Sequence, residues 1–167
     1  METTRVIELS RAAALGLAAA GVGAVVWGEI TATTNNEIGF VAWGIGALVG
    51  AVISRGCTRG GGAVTAIAVT AALLGVLAGK YLGFVLTARN EAPPGVDVPL
   101  VSGYTLDLLN ANRDVVFGPF DLLWTGLAAI SAARFARGPE TSVAGSPLSI
   151  QQHDGDHEPV SKPSLGE

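Results

Sequence analysis

The chain has 167 residues, of which 49% are apolar and only 14% charged, with 23 glycines and a formal net charge of −4. Ordinary soluble domains carry roughly 25% charged residues, so this composition excludes a disordered chain, a nucleic-acid binder and a soluble two-layer domain. Three long stretches, 12–54, 63–88 and 119–133, contain only Glu29, Glu37, Lys80 and Asp121 as charges, which points to a polytopic membrane protein.

The first apolar segment runs from about 12 to 33, long enough for a helix to cross a bilayer, which takes about 20 residues. Arg5 and Arg11 precede it as in a secretory signal. Ile30-Thr31-Ala32, however, puts a bulky residue where cleavage needs a small one, and Glu29 interrupts the approach. A retained membrane helix is expected. The second segment, about 38–54, follows a short connection and ends at Arg55, Cys57 and Arg59. A lone cysteine forms neither an internal disulfide nor a metal site. The third segment covers about 63–87.

An outer loop, 88–118, comes next. Pro93-Pro94-Gly95 and Pro99 make its first half extended and turn-rich. Apolar residues at Tyr104, Leu106, Leu108 and Leu109 predict a short interfacial helix after it. The fourth segment, about 119–136, opens on Pro119, where a helix tolerates proline. All four are too long for strands and lack the alternation of a barrel wall. The expected fold is therefore all-α, with four transmembrane helices forming one domain over 1–137. Residues 138–167 carry Glu140, Asp154, Asp156, Glu158 and Glu167 against Lys162 and hold the whole net charge. They read as a disordered acidic tail.

Basic residues set the orientation. Arg5, Arg11, Arg55, Arg59, Arg134, Arg137 and Lys162 fall on one side, whereas the outer loop has Arg89 and Arg113 against Glu91, Asp97, Asp107 and Asp114. Both termini are expected in the cytoplasm, with the chain in a bacterial inner membrane.

In lipid, close packing of small residues must supply much of the helix association. The first helix repeats Ala12, Gly16, Ala20, Ala24 and Gly28 at spacing four. The second repeats Ala42, Gly46, Gly50 and Ser54, the third Ala71, Gly75, Gly79 and Gly83, and the fourth Thr125, Ala129 and Ala133. Gly46, Gly50, Gly75, Gly79 and Gly83 are the candidate packing positions.

The candidate functional positions are the exceptional charges. At 1.5 Å per residue, Glu29 lies about 6 Å and Lys80 about 10 Å from the outer ends of their helices. Glu37 and Asp121 open the second and fourth helices on the same side. In a structural reading Lys80 snorkels outward beside Tyr81 and pairs with Glu37 or Glu29. In a functional reading Glu29 exchanges protons or binds a cation during transport. The first is favoured, because transport sites usually lie near the midplane in interrupted helices. Trp27, Trp43 and Trp124 suit an aromatic belt or a packing role, and Trp27 and Trp124, near outer helix ends, fit the belt better. The run His153-Asp154-Gly155-Asp156-His157-Glu158 has metal-ligand residue types, but it lies in the flexible tail without preformed geometry. No hydrolase, nucleotide-binding, redox or zinc-protease motif is present. No catalytic residue, cofactor or metal is expected.

The run Glu37-Ile38-Gly39-Phe40-Val41-Ala42-Trp43-Gly44-Ile45-Gly46-Ala47-Leu48-Val49-Gly50, followed later by Gly79-Lys80-Tyr81-Leu82, resembles a family of uncharacterised bacterial four-helix inner-membrane proteins. The family's final helix is similar to Phe120-Asp121-Leu122-Leu123-Trp124 running to Ala133-Arg134. The resemblance covers roughly 15–136. Phe40 stands where the family often has tryptophan, and Asn36 where an aromatic often precedes the acid. It implies a link between Glu37 and Lys80 and supplies no activity. The expected function is a non-enzymatic structural or accessory subunit of a membrane assembly. Its partners are membrane lipids and either further copies or other membrane-protein subunits. The alternative is a small transporter or channel subunit using Glu29, Glu37 and Lys80; a membrane enzyme ranks last.

Overall fold

A computed structural model describes residues 2–34, 36, 38–57, 61–116 and 118–137. Glu37, Arg59 and the tail 138–167, with Lys162 and the His153–Glu158 run, lie outside the described residues. The described chain is all-α, without strands. Its elements are α1 (Glu2–Thr34), α2 (Phe40–Gly56), α3 (Gly62–Glu91), α4 (Gly103–Ala111), α5 (Arg113–Val116) and α6 (Pro119–Ala136). Among the described residues two helices, α1 with 33 residues and α3 with 30, are long and apolar enough to cross a membrane. Helix α2 is apolar but has 17 residues.

The four long helices pack around a core of Ile45, Val49, Ile53 and Val76 together with many alanines. Their directions follow from which residues meet. A methyl group placed on Gly16 would touch Ala71 Cβ at 3.1 Å, one on Gly75 would touch Ala20 Cβ at 3.0 Å, and one on Gly79 would lie 3.4 Å from Ala24 Cα. On Gly28 it would lie 3.3 Å from the Gly83 nitrogen. The small-residue stripes of α1 and α3 therefore face each other in register, and the two helices run parallel. Helices α2 and α6 are also parallel: Gly39 meets the Trp124 ring, Gly46 the Ala128 backbone, and Gly50 the backbone of Ala132 and Ala136. Helix α2 runs against α1, since Gly23 meets Ile45 while Gly16 meets Ile53.

Glycine in a helix interior costs about 1 kcal/mol relative to alanine. Here it brings backbones close enough for dispersion and Cα–H···O contacts that a side chain would forbid. All five stripe positions of α1 are buried, as are all four of α3. In α6 the buried series is Ala128, Ala132 and Ala136, whereas Thr125, Ala129 and Ala133 are only half-buried. The expected stripe is thus displaced by one residue. Trp27 also differs from the belt reading. It is 2% exposed, with its ring in the recess left by Gly79, and Trp43 is the exposed tryptophan.

Gly79→Leu is expected to lower stability by about 2–3 kcal/mol, because even a Cβ there would lie 2.8 Å from the Trp27 ring. Gly21→Ala, with no atom within 4 Å of the added methyl, is expected to stay within about 0.5 kcal/mol of the parent. Thermal unfolding in detergent compares the two.

Candidate functional site

Lys80 is the fully buried charged side chain among the described residues, with 2% of its side chain exposed. Its position follows from its neighbour on the helix. Gly79 faces α1, and the next residue, about 100° further round, faces the start of α6. Helix α6 begins at Gly118-Pro119, and Asp121 is its third residue. One carboxylate oxygen, Asp121 Oδ2, accepts the Gly118 backbone N–H at 2.6 Å and lies 3.1 Å from Lys80 Nζ. Lys80 Nζ also donates to the carbonyl oxygen of Val116, the last residue of α5.

The arrangement solves two electrostatic problems with one group. A helix N-terminus carries partial positive charge and unpaired N–H groups, which a carboxylate in the first turn offsets. A buried ammonium is costly by several kcal/mol unless it is paired and hydrogen-bonded. Asp121 lies between the two positive groups, with 23% of its side chain exposed, and the Val116 carbonyl takes another of the three ammonium protons.

The structure thus brings Lys80 together with Asp121. Glu29 is exposed, turned outward beside Gly28, whose own face is buried against Leu82 and Gly83. Sequence reasoning missed two further residues of the same end. The Tyr81 hydroxyl donates to the Leu100 carbonyl, and Arg89 Nε donates to the Val98 carbonyl at 2.6 Å. With Lys80 they make three α3 side chains that each hold a carbonyl of the segment joining α3 to α6. Asn90 Nδ2 donates to the Ala32 carbonyl at 3.2 Å and ties α3 to the end of α1. The signal for Tyr81 and Arg89 lay in the outer loop, where a proline-rich extended stretch must find donors for its carbonyls.

That segment is folded by its own hydrogen bonds. Val96 N–H donates to the Pro93 carbonyl at 3.1 Å, closing a turn with Pro94 and Gly95 at its centre. Gly95 has φ +91°, the conformation a type II turn requires at that position. Ser102 caps α4 by accepting the Thr105 N–H at 3.1 Å, and the Thr105 hydroxyl donates to the Pro99 carbonyl at 2.7 Å. Val98 and Thr105 are buried beneath it. The short helix expected from Tyr104 to Asp114 is present as α4, followed by the single turn α5.

At the opposite end Cys57 is half-buried, with its Sγ 4.0 Å from the Glu8 carbonyl oxygen. Burial, and next the negative charge of Glu8, raise its thiol pKa above the ordinary value, while Arg11 acts the other way. Both effects that raise the pKa favour the unreactive protonated thiol. No three His, Cys, Asp or Glu side chains among the described residues gather as metal ligands would. Compared with protein-family models, curated proteins and solved structures, the chain matches none.

Proposed function

We propose that the chain is a multi-pass bacterial inner-membrane protein acting as a non-enzymatic structural or accessory subunit of a membrane assembly. Helices α1 and α3 carry the membrane reading. At 1.5 Å per residue they reach about 50 and 45 Å, beyond a hydrocarbon core of about 30 Å. Helices α2 and α6 run alongside them and, with 17 and 18 residues, fall at the short end of spanning lengths. The helix directions gather Arg5, Arg11, Arg55, Arg134 and Arg137 at one end. By the positive-inside rule that end is cytoplasmic, with both termini inside. If α1 were cleaved as a signal, Gly75, Gly79 and Gly83 would lose the surface they pack on, which favours its retention.

The observation that carries the functional part is the engagement of Lys80. The charge most deeply placed in the bundle holds a helix start and a loop carbonyl, a structural task. The transport alternative draws less support, since Glu29 faces away from the bundle. The stripes of α1, α2 and α3 are used inside the bundle, so lateral partners would meet the outer faces, where Leu17, Val25, Phe40, Trp43 and Leu48 are exposed. Purification in a mild detergent tests this reading. The expected result is a second membrane protein, or a second copy, at fixed stoichiometry. A monomer that carries flux after reconstitution, with flux lost in Glu29→Gln, would contradict it.

A further inference from the structure

Beneath the folded outer segment lies a cavity of about 740 Å³, inside the usual range of ~300–1,000 Å³ for ligand pockets. Its floor is the last part of α3, including Phe84, Thr87 and Ala88. Thr31 of α1 forms one wall, and Val98 and Leu108 cover it. Most of this lining is carbon. The polar groups are those of Thr31, Thr87, Tyr104, Asn112 and Glu91, and Glu91, which is exposed, supplies a carboxylate at the rim.

One of those polar groups lacks a partner. Thr87 Oγ1 is buried and makes no hydrogen bond, although a helical threonine can bond the carbonyl three or four residues back. Leaving a hydroxyl desolvated and unpaired costs about 1–3 kcal/mol. A rotation of about 120° in χ1 can carry the hydroxyl to the place the methyl holds, and threonine populates two rotamers in helices.

We propose that this cavity binds the acyl chain of a single-chain amphiphile with a neutral or amine-bearing head group, its polar end meeting Thr87 and Glu91. The proposal rests on the membrane reading. In that reading the cavity opens at the outer ends of the two longest helices, at the depth of lipid head groups and upper acyl chains. The carboxylate of Glu91 at the rim disfavours an anionic head, so a free fatty acid is the poorer ligand.

The probe is lysophosphatidylethanolamine, titrated into the full-length protein in detergent and read by native mass spectrometry, with oleate as the comparison. The expected result is one saturable site with oleate at least ~5-fold weaker, and loss of binding in Ala88→Trp, which fills the cavity. Thr87→Val is the second variant. It is expected to bind about 5-fold more weakly while its Tm stays equal or rises, because without ligand it only removes an unpaired hydroxyl. Should Ala88→Trp fail to fold, Thr87→Val decides. Binding unchanged in both variants, or in Thr87→Val alone where Ala88→Trp does not fold, overturns the proposal, as does equal binding of oleate. Recovery of the protein in the soluble fraction without detergent would instead overturn the membrane reading, so the two failures are distinguishable.

Discussion

Gly46→Val is expected to be the most damaging of the glycine substitutions in the bundle, at about 3 kcal/mol or more. At this position α2 and α6 approach backbone to backbone. A Cβ on Gly46 would collide with the Ala128 carbonyl oxygen and sit 2.7 Å from the Ala128 Cα. A flexible side chain can move aside, but a helical backbone moves only with its helix. Relief therefore requires α2 and α6 to separate along the contact, which also loosens the Gly50 crossing, where a Cβ would lie 2.7 Å from the Ala132 carbonyl oxygen. Overpacking costs of about 1–3 kcal/mol are typical where side chains can yield, and here the obstruction is main chain. Gly44→Ala is the control in the same helix. Its added methyl meets nothing within 4 Å, so no loss is expected. Equilibrium unfolding in mixed detergent micelles measures both. Equal stability of the two variants would show that α2 and α6 do not cross as closely as described.

The second large effect concerns Lys80 and Asp121. Lys80→Met removes the ammonium that Asp121 and the Val116 carbonyl share. Breaking a buried pair from one side costs about 3–5 kcal/mol, and the 23% exposure of Asp121 places this case toward the lower end. Asp121→Ala removes the partner and, with it, the acceptor for the Gly118 N–H, so it also loses a helix cap worth about 1 kcal/mol. The double variant is expected to be less destabilised than the sum of the singles, by about 1–3 kcal/mol of coupling. Additive effects would mean that the two side chains act independently. Limited proteolysis of the segment joining α3 to α6 adds a structural readout, because Lys80→Met frees one of its anchored carbonyls at Val116.

The sequence revealed the helices and most of their contact faces, and it did so for physical reasons. Glycine at spacing four marks one side of a helix wherever its other sides carry Leu, Val or Ile, as in α1, α2 and α3. Helix α6 lacks that contrast. Ala128-Ala129 and Ala132-Ala133 offer two stripes of equal spacing one residue apart. The partner helix selects between them, and Gly46 and Gly50 meet Ala128 and Ala132.

The charges show the same limit. Depth along the axis placed Glu29, Glu37, Lys80 and Asp121 near one end, but depth says nothing about helix rotation. Lys80 points at α6 because Gly79, one residue earlier, is used against Trp27 of α1. Trp27 is likewise ambiguous in sequence, because a tryptophan near a helix end suits a belt or a packing role. Only the recess at Gly79 shows that it is a packing anchor. The proline-rich stretch signals a need for donors, but that Tyr81 and Arg89 supply them depends on how the segment folds back onto α3.

The proposed function requires these helices to alternate across a membrane. Fusions at two positions test it, after Arg137 and within the turn at Gly95, each made once with a reporter active only in the cytoplasm and once with a reporter active only outside it. The expected result is cytoplasmic activity after Arg137 and external activity at Gly95, with both fusions retained in the membrane fraction after alkaline washing. Activity on the same side at both positions, or release of the protein by the wash, would contradict the claim.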